Sequence, residues 1–127
     1  MAGIQDLIGS LGRLDGADIG ESMFTGGQAL WVNGKEVAHF EEGGVVDIRL
    51  TSPLIRQRRS ELRENPAVTL RKSSGADWLE VAVSSKPDED LVRELVVLAI
   101  SAHAAPAGTQ PKSPPTGAKL EKMRRFH

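Results

Sequence analysis

The chain has no cysteine among its 127 residues. Disulfides, thiolate nucleophiles and cysteine-ligated zinc or iron–sulfur centres are therefore excluded, and a reducing compartment poses no difficulty. An excess of charge is missing as well. Sixteen Lys and Arg stand against 17 Asp and Glu, a net −1, so no whole-protein field draws the chain to nucleic acid or anionic lipid. No stretch approaches the ~18 consecutive apolar residues of a membrane-spanning helix. The opening MAGIQDLIGSLGRL has no basic segment leading into a long apolar run, the pattern of a secretory signal. These absences predict a soluble, cytoplasmic protein with no membrane partner.

Motifs that name a reaction are also missing. Gly26-Gly27 and Gly43-Gly44 lack the strand-to-helix context and spacing of a phosphate-binding loop or dinucleotide fingerprint, so turn chemistry accounts for them. Ser73 and Ser74 have no Gly-x-Ser-x-Gly around them. His103 and His127 stand at no metal-ligand spacing from His39, so no metal is expected, and the cofactor is left unknown.

What is present is a domain's worth of hydrophobic pattern, 39% of the chain, enough for one core. Its centre is Ala29 to Leu50, ALWVNGKEVAHFEEGGVVDIRL, which reads as a three-stranded meander. Asn33-Gly34 supplies the two positive-φ positions of a type I′ hairpin. That turn pairs Val32 with Lys35, Trp31 with Glu36, Leu30 with Val37 and Ala29 with Ala38. A four-residue connection at Glu41 to Gly44 then sets His39 opposite Val46, Val37 opposite Ile48 and Glu36 opposite Arg49. Side chains alternate along a strand, so Leu30, Val32, Val37, His39, Val46, Ile48 and Leu50 are expected on the core face. Trp31, Glu36, Ala38, Phe40, Asp47 and Arg49 are expected on the outer face.

Helices are predicted around this meander. Ile4, Leu7, Ile8, Leu11 and Leu14 form one apolar stripe at helical spacing, whereas residues 15–28 read as a loop with Met23 and Phe24 as anchors. Ser52-Pro53 opens a helix to about Arg63, closed by Asn65-Pro66. Two strands follow, Ala67 to Arg71 and Trp78 to Val83, placing Thr69, Arg71, Trp78 and Glu80 on the outer face. A last helix begins near Lys86-Pro87, with Asp88, Glu89 and Asp90 favouring its positive end, and stops at Ala105-Pro106. The prediction is an α+β fold, order α-β-β-β-α-β-β-α, with a five-stranded antiparallel sheet covered by helices mainly on one face. That domain spans residues 1–105. Residues 106–127 are predicted to be a disordered, Pro-rich basic tail; five basic and one acidic residue give them a net +4, leaving −5 on the body.

ALWVNGKEVAHF, VVDIRLT, IRQRRSELR and DWLEV, in that order over roughly residues 25–103, resemble the small bacterial proteins of the luciferase-domain family. The resemblance implies an α+β domain, and the family's name implies oxygen-dependent light chemistry. Many of its members place a second histidine two positions after the first; here that position is Glu41.

Three functions are consistent with these residues. The first is a module that receives a small ligand or a protein on the outer face, with Trp31, Glu36, Phe40, Asp47, Arg49, Arg71, Trp78 and Glu80 as candidates; a homodimer through that face is included. Exposed aromatic patches of that kind mark interaction sites. The second is an enzyme using His39 with Glu36, Glu41 or Asp47, and the burial of His39 discriminates it from the first. The third, disfavoured by the acidic body, is nucleic-acid binding through the arginine-rich helix, with Arg56, Arg59 and Arg63 contacting phosphates.

Overall fold

Residues 3–70 and 76–126 are described by a computed structural model of the chain. The apolar stripe near the N-terminus forms α1 (Ile4–Gly12), burying Leu7, Ile8 and Leu11. Four strands follow: β1 (Asp18–Glu21), β2 (Gln28–Val32), β3 (Lys35–Glu41) and β4 (Val45–Arg49). Then come α2 (Ser52–Gln57), α3 (Arg59–Glu64), β5 (Val68–Leu70), β6 (Trp78–Ala82), α4 (Lys86–His103) and α5 (Gly117–Arg125). The strands form one antiparallel sheet in the order β1-β2-β3-β4-β6-β5.

The α+β class and the antiparallel sheet stand as expected, but the sheet has six strands rather than five. The added strand is β1, inside the stretch read as a loop. Asp18-Ile19-Gly20-Glu21 offers one strong strand former, and the strand holds because its backbone pairs with β2 at the sheet edge. Gly20 is needed there: a Cβ would stand 3.0 Å from the Trp31 indole, which folds over the strand and donates from Nε1 to the Glu21 carbonyl at 3.2 Å. The single helix expected after Ser52 is broken at Arg58, whose φ of −107° and ψ of 9° separate α2 from α3.

Thr51 caps α2 by accepting from the Leu54 N–H, and Ser85 caps α4 by accepting from the Asp88 N–H. Along α4, Val92, Leu95, Val96 and Ala99 are buried, and the helix lies across β3, β4 and β6. Together with Leu7 and Leu11 of α1, Ile55 and Leu62 of α2 and α3, and Leu30, Ile48, Leu79 and Val81 of the sheet, they make the main core. Four helices thus cover one face. Among the described residues, no helix is long and apolar enough to cross a membrane.

The decisive departure lies in β3. Trp31 pairs with Glu36 as expected, but the next pair is Leu30 with Ala38, so Val37 is an extra residue and the register shifts between Leu30 and Trp31. A β-bulge of this kind re-aims every side chain beyond it. Val37 and Ala38 both enter the main core, and Phe40 packs against that core rather than outward. His39 passes to the outer face, opposite Asp47 instead of Val46.

The outer face has its own small core of Met23, Ala29, Trp31 and Leu120, with Met123 against it. Leu120 and Met123 belong to α5, within the stretch expected as a disordered tail. Pro114 approaches Gly20, the Lys112 N–H donates to Asn33 Oδ1 at 2.9 Å, and Arg124 bridges to Glu21 at 2.5 Å. Trp31 is fully buried beneath these groups.

Candidate functional site: a carboxylate-clamped histidine under an aromatic rim

Beyond the edge of that small core the outer face carries charge. The bulge delivers His39 between two carboxylates: its Nδ1 lies 3.0 Å from Glu36 Oε2 and its Nε2 lies 2.6 Å from Asp47 Oδ2. All three are buried, with His39 at 6% exposure, Glu36 at 1% and Asp47 at 3%. Burial alone would lower the pKa of His39, but hydrogen bonds to Asp47 and Glu36, with the charges of both, outweigh it and raise the pKa from 6.5 to about 9. The ring is therefore an imidazolium at neutral pH, donating from both nitrogens.

The carboxylates are held in turn. Ser22 Oγ donates to Glu36 Oε2 at 2.6 Å and the Met23 N–H donates to Oε1 at 2.7 Å. Ser22 also organises the β1–β2 loop, its hydroxyl accepting from the Phe24 and Thr25 N–H groups at 3.1 Å each. The loop thereby carries Phe24 over the histidine. The Phe24 ring lies 5.7 Å from that of His39 and 5.5 Å, edge-on, from that of Trp78; Trp78 lies 5.1 Å from His39. Arg49 places its guanidinium 4.8 Å from the centre of the Trp78 ring.

Between loop and sheet opens a cleft of about 340 Å³, lined by Phe24, Thr25, His39, Glu41, Asp47 and Trp78. Glu41 stands at its open side, 3.7 Å from His39 Nε2. A hydrogen bond with Asp47, then the Asp47 charge, hold the Glu41 carboxyl above the ordinary carboxylate range, against the pull of His39. Two carboxyls hydrogen-bond only through a shared proton, so this pair keeps one to higher pH than a lone glutamate. The ligand atoms of His39, Glu41 and Asp47 lie within 4.8 Å of one another, close enough for three side chains to share an ion, although the sequence offered no metal spacing. In this arrangement both imidazole nitrogens are engaged by carboxylates.

Residues 34–99, from the β2–β3 turn into the last turns of α4, match the Luciferase domain family. The chain belongs to that family. No curated protein and no solved structure matches it. His39, Glu41, Asp47 and Trp78, the floor of the cleft, all fall inside the matched segment. Phe24 and Thr25, which roof it, Ser22, which holds Glu36, and α5 fall outside.

Among the outer-face residues expected to form a site, Asp47 and Trp78 line the cleft of this Luciferase-domain protein, Glu36 supports it from beneath and Arg49 backs Trp78. Glu80 pairs with Asp47 across β4 and β6 on the same face. Trp31 is on the expected face but sealed under α5, whereas Phe40 is on the opposite face. Arg71 lies outside the described residues. Arg56, Arg59 and Arg63 are split between α2 and α3, and none lines the cleft. Sequence reasoning missed Ser22 and Thr25. The run Ser22-Met-Phe-Thr25-Gly-Gly is a side-chain-capped turn and could have been read as one; that it closes on Glu36 could not.

Proposed function

We propose that this protein binds a small organic ligand in the cleft above His39. The observation that carries the reading is an imidazolium buried between two carboxylates beneath an open, aromatic-rimmed cleft. Desolvating such a cluster costs several kcal/mol per ion, and apolar residues of similar volume would stabilise the fold as well or better. Perturbed ionisable groups gathered at a cleft are the usual mark of a binding or reacting site. The test is a fragment screen by amide and indole chemical shifts. Ligands should move the Trp78 indole, His39 and Glu41 signals and leave the Trp31 indole still, and a screen in which no fragment moves these signals refutes the reading.

A second, catalytic reading is favoured by one feature, the raised Glu41 carboxyl facing the cleft. His39 has both nitrogens engaged and is a poor base as it stands. Glu41 would instead give or take the proton, with Asp47 and His39 tuning it, a role worth roughly 10²–10⁴-fold in rate. On this reading Glu41→Gln retains ligand and loses conversion. Equal turnover by wild type and Glu41→Gln rules it out.

A further inference from the structure

The charges around the cleft point to a class of ligand. Glu41 lines it from β3 and Asp47 from β4, with Glu36 beneath His39 and Glu80 beside Asp47 on β6, against the single imidazolium of His39 and the guanidinium of Arg49. The His39 charge is shared among three carboxylates, Glu36, Asp47 and Glu41, and that of Arg49 lies on the Trp78 ring. The open side at Glu41, whose side chain is 42% exposed, is thus the negative end of the cleft. An anionic ligand would meet net repulsion there, since one imidazolium stands against three carboxylates. The other walls are the rings of Phe24 and Trp78, surfaces that take an apolar body and, in the case of indole, attract a cation.

Resting on the ligand-binding reading above, we propose that the ligand is an amine, its ammonium group displacing to solvent the proton that Glu41 and Asp47 share and donating to both carboxylates, with its apolar or aromatic body against Phe24 and Trp78. An ammonium donates its own hydrogens to carboxylates while the body it carries lies on the two rings, so it uses both kinds of wall the cleft offers, which a bare metal ion does not. The cleft, about 340 Å³, is at the small end of the ~300–1,000 Å³ typical of ligand sites, which suits a single ring bearing one amine.

The experiment titrates the full chain with benzylammonium chloride, benzyl alcohol and magnesium chloride at pH 7 and constant ionic strength, following tryptophan fluorescence and amide shifts. Benzylammonium should bind at least tenfold more tightly than benzyl alcohol. Glu41→Gln, exposed enough to leave the fold intact, should remove most of that ratio, and Trp78→Leu should weaken both ligands. If benzyl alcohol binds as well as the amine, or Glu41→Gln leaves the ratio unchanged, the amine proposal is overturned while the cleft remains a ligand site. Tighter binding by magnesium overturns it in favour of a metal ion. If neither organic probe moves a cleft signal and the fragment screen is equally silent, the underlying ligand reading fails too.

Discussion

The two faces of the sheet are buried by different physics. On the inner face Leu30, Ile48, Leu79 and Val81 are held by area under α1 and α4. On the outer face Glu36, His39 and Asp47 are just as buried, yet they are held by pairing. Area tolerates trimming because the loss scales with the atoms removed, while pairing does not, because each deletion strands a partner. The difference is sharpest in a pair of variants. Ile48→Val should cost about 0.5–1.5 kcal/mol. Glu36→Ala should cost about 3–5 kcal/mol, since it leaves the His39 imidazolium short of one carboxylate and the Ser22 hydroxyl and Met23 N–H without an acceptor. Urea unfolding of both variants decides it, and comparable costs would mean that the outer cluster is as forgiving as the inner core.

The outer face also depends on a segment remote in sequence. Leu120 of α5 is buried against Trp31, and Arg124 Nη2 donates to the Ser22 carbonyl at 2.8 Å, beside the loop that roofs the cleft. Ending the chain at Ala105 should therefore remove about 1.5–3 kcal/mol, the worth of one buried leucine with its neighbours, and shift Trp31 emission to the red. An unchanged melting temperature would return the segment to the disordered tail that its composition suggests.

What was legible in the sequence was local. The α1 stripe, the Lys86-Pro87 start of α4 and the Asn33-Gly34 turn, with φ of 50° and 76°, each depend on residues within a few positions of one another. The bulge at Val37 was not legible. Lys35 to Glu41 contains no glycine to mark it, and Ala38 suits either face, so simple alternation put His39 in the core and Phe40 outside. The candidate site was therefore half readable: Glu36, Asp47 and Trp78 were placed on its face, while the histidine at its centre was assigned to the other. β1 and α5 were hidden because their stabilising partners, the β2 backbone and Trp31, are distant in sequence or carry no pattern of their own.

The pairing argument has a signature in pH that the inner face lacks. The His39 pKa is raised from 6.5 to about 9, so the folded state holds that proton more tightly than the unfolded chain does. Its stabilisation is complete below about pH 6.5 and is lost as pH rises through about 9. A decline of about 1–2 kcal/mol across that window is expected, less than the full shift because one edge of the ring meets cleft water. Urea midpoints at pH 6.5 and 9.5 should show it, with His39→Gln flat over the same range. A wild type equally stable at both pH values would mean that the carboxylates do not clamp the ring.

The smallest effect tests whether the C-terminal segment touches the hairpin from which the meander begins. Gly34 has φ of +76°, and a Cβ built there would stand 3.1 Å from Lys112 Cβ, whose own N–H donates to Asn33 Oδ1. Gly34→Ala thus carries two costs of different origin. The positive φ costs about 1–2 kcal/mol in any chain that forms this turn. The approach to Lys112 adds a few tenths more only where residues 106–127 lie along the turn, since the lysine backbone must give way. Measured in the full chain and in the chain ending at Ala105, the substitution should be slightly cheaper in the shorter one. Two distant, independent changes would simply add, so the shortfall measures the contact itself. Identical costs in both backgrounds would place Lys112 away from the hairpin and leave Pro114 and α5 as the contacts of the segment with the outer face.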